Sequence, residues 1–146
     1  MSSVETFSLD DIMALRVRVL RKGTPATHAQ YPEDSYADVV HFGIARDGDV
    51  IATSTWFSKE CPLQPGVPAI QLKGMAVDDH LQTGGLGRAL IDTGMEHARA
   101  ASAHIVWARA RDSAMGFYER CGFVSVGDGF IDEPTGMPHH IVIRTV

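Results

Sequence analysis

Three glycines stand together at the point where a strand pattern changes to a helix pattern. The segment reads Gln82-Thr83-Gly84-Gly85-Leu86-Gly87-Arg88; the predicted strand 69–77 precedes it and a helical pattern over 86–101 follows. Glycines let the backbone turn tightly and approach a ligand without a Cβ in the way. The first N–H groups of the helix then form an anion site, to which Arg88 adds a full positive charge. The turn therefore predicts an anion site at the start of a helix.

Three phosphate-binding patterns compete for this turn. The Walker pattern requires a glycine, any four residues and then Gly-Lys-Ser/Thr, and the chain has no such lysine here. The dinucleotide fingerprint requires a last Gly or Ala, where this chain has Leu90. The pattern Gln/Arg-x-x-Gly-x-Gly/Ala fits residues 82–87. By itself the match leaves open a plain glycine turn between a strand and a helix.

The rest of the chain predicts a mixed α/β domain whose first half is antiparallel. Ser8 precedes two acids and a helical apolar pattern, as expected for a helix start; that helix is expected to end near Lys22-Gly23, with its arginines on different faces. Asp47-Gly48-Asp49 between two β-rich runs predicts a hairpin. The further predicted elements are strands at 39–46, 50–58, 69–77, 104–110, 123–126 and 140–146, a helix at 113–121, and loops at 23–38, 61–68 and 127–138.

Length and composition exclude several classes of protein. The chain has 146 residues, 45% of them hydrophobic and 21% charged, which predicts one globular domain over 1–146. A net charge of −5 argues against a general nucleic-acid binder. Cys61 and Cys121 match neither a disulfide framework nor a zinc motif. With no signal-peptide pattern and no membrane-length apolar run, we expect a cytoplasmic protein that contacts neither membrane nor nucleic acid and holds no metal.

Two linked motifs resemble the GCN5-related N-acetyltransferase (GNAT) family. The strand end Met75-Ala76-Val77 and the 82–87 turn are followed, after a helix and a strand, by Ala114-Met115-Gly116-Phe117-Tyr118-Glu119-Arg120-Cys121-Gly122-Phe123. The resemblance covers residues 7–146 and is greatest to small uncharacterised acetyltransferases. It implies an acyl-CoA N-acyltransferase fold: a mixed, mostly antiparallel sheet whose two central parallel strands splay apart, flanked by helices.

The resemblance also implies an enzyme that transfers acetyl directly from acetyl-CoA to a primary amine of a small molecule or protein. The cofactor-binding residues would be Met75, Ala76 and Val77 for the pantetheine arm, Gln82, Thr83, Gly84, Gly85, Leu86, Gly87 and Arg88 for the pyrophosphate, and Arg111. Arg111 departs from the pattern, since many family members carry Asn there. Arg109 is a second departure within the subgroup.

Two proton transfers accompany this reaction. An amine with a pKa near ~10.4 must lose a proton before it attacks, and the leaving thiolate must gain one. By resemblance Tyr118 is the general acid. His139 and His140 are candidates for the base, because histidine accepts protons near neutral pH. Asp132, Glu133, His41 and a water chain remain alternatives.

The acceptor contacts are expected from the first helix and the strands beside it. Arg18, Arg21 and Trp56 are the candidates, and arginines there would suit an acceptor that carries a carboxylate. Ordinary solvated helix charge is the alternative explanation. A late strand that mediates a homodimer is a further expectation from the resemblance.

Two other functions are compatible with parts of the pattern. A non-catalytic acyl-CoA-binding module would have the same fold without turnover, although it would not need Tyr118. A nucleotide-binding oxidoreductase domain is disfavoured by the failed dinucleotide fingerprint and by the antiparallel first half.

Overall fold

The computed structural model describes residues 3–82 and 84–146. Its strands form one sheet in the order β1-β2-β3-β4-β5-β7-β6. The strands are β1 (Glu5–Phe7), β2 (Val40–Arg46), β3 (Asp49–Ser58), β4 (Ala69–Val77), β5 (Ile105–Arg111), β6 (Val124–Asp132) and β7 (Met137–Thr145). The helices are α1 (Leu9–Leu20), α2 (Leu86–Ala100) and α3 (Met115–Arg120), with short 3-10 turns at Pro32–Ser35, Asp79–Leu81 and Asp112–Ala114.

Local sequence signals explain where several elements begin. Ser8 Oγ accepts from the Asp11 N–H and the Asp11 carboxylate accepts from the Ser8 N–H, both at 3.2 Å, which is a capping box for α1. Asp47 and Gly48 have φ of 52° and 84°, as the two-residue turn of a twisted hairpin requires. The predicted hairpin between β2 and β3 is therefore confirmed.

The chain divides into two compact units, and β4 and α2 each contribute residues to both. The first unit comprises residues from 1–57 and 72–96. In it, alternate side chains of β3 point to opposite faces: Thr55 contacts α1, whereas Trp56 contacts α2. Its apolar cluster under α2 consists of Ile44, Ile51, Ala52, Leu86 and Leu90.

The second unit comprises residues 58–71 and 97–146. Residues 69–71 of β4 pair in parallel with Ile105–Trp107 of β5, and β5, β7 and β6 pair antiparallel. The predicted mixed, mostly antiparallel sheet is therefore confirmed. The splay of the two parallel strands remains a prediction, and so does a single domain over residues 1–146. The unit's apolar cluster consists of Cys61, Ile105, Trp107, Ile141 and Ile143.

The structure corrects the sequence-based elements at two places. Strand β1 was not predicted, because three residues carry too short a pattern. The predicted loop over 127–138 is wrong at both ends, since β6 runs to Asp132 after a register shift between Val126 and Phe130, and β7 already begins at Met137. Glycines in that stretch favoured a loop, whereas here they form the irregularity within a strand pair. Within the described residues, no helix has both the length and the apolar character needed to cross a membrane.

Candidate active site

The predicted anion turn follows β4 in the first unit. Of its predicted residues, Thr83 lies outside the described residues. Gly84 and Gly85 are exposed, and Gly85 has a φ of 79°, a conformation that favours glycine. The Gly84 N–H donates to the Leu81 carbonyl at 3.1 Å, which closes the turn before α2 starts at Leu86. The sequence therefore forms the expected strand–turn–helix connection.

The start of α2 carries the features of an anion site. The Ala89 N–H donates to the Gly85 carbonyl at 3.1 Å. The N–H groups of Leu86 and Gly87 precede that bond and belong to the first turn, where a helix supplies no carbonyl partner. Arg88 is exposed beside them. The donor set therefore suits an anion such as a pyrophosphate.

The last residues of β4 lead directly into this turn. Met75 and Val77 are half-buried, whereas Ala76 is buried. Gln82 Nε2 donates to the Val77 carbonyl at 3.0 Å, so that the first residue of the motif holds the strand end beside the turn. Gly74, with a φ of 66°, interrupts the regular strand just before these residues.

Arg18 lies beside the end of β4, where it is paired with Asp78. Its Nε and Nη2 donate to the two oxygens of Asp78 at 3.1 and 3.0 Å. The hydrogen bond from Arg18 lowers the pKa of Asp78 despite some desolvation. An open cavity of about 690 Å³ between α1 and the β2–β3 hairpin includes both side chains in its lining. Arg21 donates to the neighbouring Leu20 carbonyl at 3.4 Å.

A fully buried arginine fixes the long loop between α1 and β2. Arg16 is 0% exposed, and its guanidinium donates to both Asp34 oxygens at 2.8 Å, to the Ala29 carbonyl at 3.0 Å and to Thr55 Oγ1 at 2.6 Å. His41 Nδ1 lies 2.8 Å from the same Thr55 oxygen. Burial, together with the Arg16 charge, lowers the pKa of His41. No local sequence signal indicates the role of Arg16, because its partner Asp34 lies 18 residues away along the chain.

Tyr31 joins this loop to β4. Two cations lie over its ring, with Arg16 Cζ and Lys73 Nζ at 4.5 and 4.6 Å from the ring centroid. Lys73 also pairs with the buried Glu33 carboxylate at 3.0 Å. A Cβ on Gly74 would lie 3.0 Å from the Tyr31 ring, so glycine is what lets the loop approach the strand. These contacts therefore fix the loop between α1 and β2 against β4.

Trp56, predicted as an acceptor contact, is a core residue in this structure. It is 0% exposed, its Nε1 donates to Ser54 Oγ at 2.8 Å, and its ring packs against Gly94 of α2. A side chain enclosed in this way has no surface left for a substrate. Strand alternation places Trp56 on the face of β3 opposite Thr55, and α2 covers that face.

In the second unit, Tyr118 sits in a small aromatic cluster on α3. Its ring meets those of Phe117 and Phe123 edge-on, with centroids 5.2 and 5.4 Å away, and the residue is 7% exposed. Arg111 ends β5 and pairs with His139 across the β5–β7 ladder. The chain then turns through Asp112–Ala114 into α3.

The two histidines of β7 are adjacent and therefore face opposite sides of the sheet. His139 is 5% exposed; its Nδ1 lies 2.9 Å from the Met137 carbonyl, and its ring stacks on Phe130. The centroid of the same Phe130 ring lies 4.8 Å from Arg109 Cζ, and Arg109 Nη2 donates to Asp132 Oδ1 at 3.0 Å. Burial raises the pKa of Asp132, but hydrogen bonds from Thr135 and Arg109 outweigh it and lower the pKa.

His140 has different surroundings. Its Nδ1 lies 2.7 Å from the Asp112 carboxylate, and its side chain is 31% exposed. Among the described residues, no group of three or more His, Cys, Asp or Glu side chains has an arrangement suited to a metal ion.

Comparison with known proteins identifies the family. Residues 9–123 match the model of the acetyltransferase (GNAT) family. The chain is 29% identical over 143 residues to an uncharacterized N-acetyltransferase, YitI, of Bacillus subtilis strain 168. The alignment covers 98% of this chain and 95% of that protein.

Solved structures show the same fold. Escherichia coli ElaA superposes with a TM-score of 0.77 at 16% identity, over 99% of both chains. An acyl-CoA N-acyltransferase from Pseudomonas aeruginosa gives 0.73 at 19% identity, again over 99% of both chains. The chain belongs to the GNAT acetyltransferase family and is an acyltransferase with that fold.

Proposed function

We propose that this enzyme transfers acetyl from acetyl-CoA directly to a primary amine of a small molecule or protein. The observation that carries the proposal is the exposed Gly84-Gly85 turn leading into the first turn of α2, with Arg88 beside it. In a chain of net charge −5, this local arrangement supplies the positive potential that a pyrophosphate requires.

The donor would be held by residues of the first unit. The turn 82–88 would bind the pyrophosphate, and the backbone of Met75, Ala76 and Val77 would pair with the pantetheine arm. The geometry is compatible with this, because Gln82 fixes the Val77 carbonyl next to the turn. Arg111 is a further proposed contact to the cofactor.

Tyr118 is the proposed general acid. The leaving sulfur needs a proton, and a tyrosine hydroxyl is able to give one, although its ordinary pKa of ~10 lies above that of a thiol at ~8.5. The edge-on packing against Phe117 and Phe123 restrains the ring. A restrained ring holds the hydroxyl in one place, as proton transfer requires.

A histidine of β7, His139 or His140, is the proposed acceptor of the amine proton. On the acceptor side the proposal keeps Arg18 and Arg21 and leaves out the buried Trp56. Because Arg18 is engaged by Asp78, an acidic group on the acceptor would have to compete with that carboxylate. A cytoplasmic location and a homodimer, with β6 at the sheet edge exposing Val124 and Ile131, also belong to the proposal.

Ligand-dependent stabilisation followed by a turnover assay tests the function. We expect acetyl-CoA, but neither NAD nor ATP, to raise the melting temperature of the protein. Thiol release with a panel of amines, with acetylated products read by mass spectrometry, should then identify acceptors. Stabilisation by NAD alone would overturn the proposal. Stabilisation by acetyl-CoA with no thiol release across a broad panel would instead favour the non-catalytic acyl-CoA-binding module.

A further inference from the structure

His140 is paired with a carboxylate that sequence analysis did not single out. Its Nδ1 lies 2.7 Å from Asp112 Oδ1, and the side chains are 31% and 43% exposed. An ionised carboxylate only accepts hydrogen bonds, so the proton of the pair sits on Nδ1. In neutral His140 the lone pair is therefore on Nε2. A base oriented by a third group in this way has the arrangement of proton acceptors in hydrolytic and transfer enzymes.

A glycine in β6 makes room for the imidazole. A Cβ on Gly129 would lie 2.8 Å from His140 Cε1 and 3.0 Å from Nε2, closer than side chains tolerate. Gly129 lies in the stretch where the β6–β7 register shifts between Val126 and Phe130. The irregularity in β6 thus brings a residue without a side chain opposite the histidine ring.

The neighbouring histidine lacks these features. The Met137 carbonyl accepts the hydrogen bond from His139 Nδ1, and among the described residues no carboxylate is seen hydrogen bonded to that ring. His139 is 5% exposed and stacks on Phe130 with an interplanar angle of 29°. These contacts describe a packed side chain. His140, by contrast, is 31% exposed, and its Nδ1 is hydrogen bonded to a carboxylate.

We propose that His140 accepts the proton of the acceptor amine and that Asp112 is its positioning residue; this rests on the proposed N-acetyltransferase function. The ammonium gives one proton to His140 Nε2, and the freed nitrogen lone pair forms the C–N bond to the acetyl carbon. The C–S bond breaks, and sulfur takes the Tyr118 hydroxyl proton. The second proton lost by nitrogen restores Tyr118, and His140 releases its proton to solvent.

Several charged groups surround His140. Asp112 on the turn after β5 contacts it directly, and Arg111 precedes that turn. Asp128 in β6 is exposed next to Gly129. Along β7 the next charge on the same face is Arg144, which donates to the Cys121 carbonyl at the end of α3. Within residues 3–82 and 84–146, Asp112 is the carboxylate that is hydrogen bonded to His140.

The test uses three variants and a control in the amine-dependent thiol-release assay. His140→Ala should lower kcat by about 100-fold, within the range of general-base contributions, and added imidazole should restore part of the rate. Asp112→Ala removes the acceptor that orients Nδ1–H, so kcat should fall while the KM for the amine changes little. Gly129→Ala should lower kcat by displacing the ring. His104→Ala, at an exposed histidine, is the control for losing an imidazole.

Acetyl-CoA affinity and melting temperature show whether a result bears on the role of His140 or on the proposed N-acetyltransferase function. All variants should bind acetyl-CoA as the unmodified protein does, and a folded His140→Asn variant replaces His140→Ala if the latter unfolds. Unchanged kcat in both His140 variants, or in Asp112→Ala, would overturn the assignment while the proposed function stands. An unmodified protein without thiol release on any amine would overturn both proposals.

Discussion

The Arg16 guanidinium and the Asp34 carboxylate form a two-point ion pair of 2.8 Å bonds, with side chains 0% and 2% exposed. The pair connects α1 to the loop that precedes β2. Thr55 Oγ1 and the Ala29 carbonyl accept further hydrogen bonds from the same guanidinium. Arg16 therefore links α1, the following loop and β3 within the first unit.

Asp34→Asn should destabilise the protein by about 3 kcal/mol or more, because it leaves the buried Arg16 charge uncompensated. Urea unfolding at pH 7 measures the change. Asp79→Asn is the matched control, because the Lys22–Asp79 pair has side chains 68% and 50% exposed and should contribute less than about 1 kcal/mol. Equal effects of the two substitutions would contradict the structural role of the Arg16–Asp34 pair.

The same pair predicts an acid-dependent loss of stability. Burial raises the pKa of Asp34, but the hydrogen bonds from Arg16 and from the Tyr31 N–H and the Arg16 charge lower it on balance. A pKa that is lower in the folded than in the unfolded state stabilises the fold at pH values above the unfolded-state pKa of about 3.9. That stability is lost as the pH falls through the folded-state value. The difference in unfolding free energy between the unmodified protein and Asp34→Asn should therefore shrink below about pH 4. A constant difference from pH 7 to pH 2.5 would rule out this linkage.

Gly94→Ala should destabilise the first unit, because a Cβ there would lie 1.9 Å from Trp56 Cζ2. The ring is fully buried and hydrogen bonded to Ser54, so it cannot move aside, and overpacking of this kind costs about 1–3 kcal/mol. Thermal unfolding measures the effect. In Gly116→Ala the nearest atom is the flexible Arg120 Nη1 at 3.2 Å, so that helical control should lose little stability. Equal stability of Gly94→Ala and the unmodified protein would be incompatible with this packing.

Arg88→Ala should weaken acetyl-CoA binding about tenfold at low salt and by less at high salt, because screening reduces the contribution of an exposed charge. Isothermal titration at two ionic strengths measures both effects. Arg99→Ala, in the last turn of the same helix, is the control for losing one positive charge. The same loss of affinity in both variants would show that net charge, rather than the turn, governs binding.

Tyr118→Phe should lower kcat at least tenfold while leaving acetyl-CoA affinity nearly intact, since it removes the hydroxyl and keeps the ring. The aromatic contacts to Phe117 and Phe123 are preserved, so melting temperature should change little. Steady-state thiol release and acetyl-CoA titration separate the two effects. Turnover equal to that of the unmodified protein would remove Tyr118 from the proton transfer.

Much of the fold could be predicted from the sequence because the signals are local. The Ser8 cap and the Asp47-Gly48 turn depend on contacts within a few residues, and the 82–87 glycine turn is recognisable by its spacing. Family membership followed from two such segments and was confirmed by the match over residues 9–123. In each case the physical cause lies within one turn or one strand.

Partners distant in the chain could be decided only by the tertiary structure. Nothing near Arg16 indicates that Asp34 and Thr55 neutralise it, and strand alternation alone does not say which face of β3 meets α2 and buries Trp56. The contrast between His139 and His140 likewise depends on Phe130 and Asp112, which other strands and turns bring alongside β7. Sequence determines which residues are capable of the chemistry; long-range packing determines their neighbours, exposure and charge.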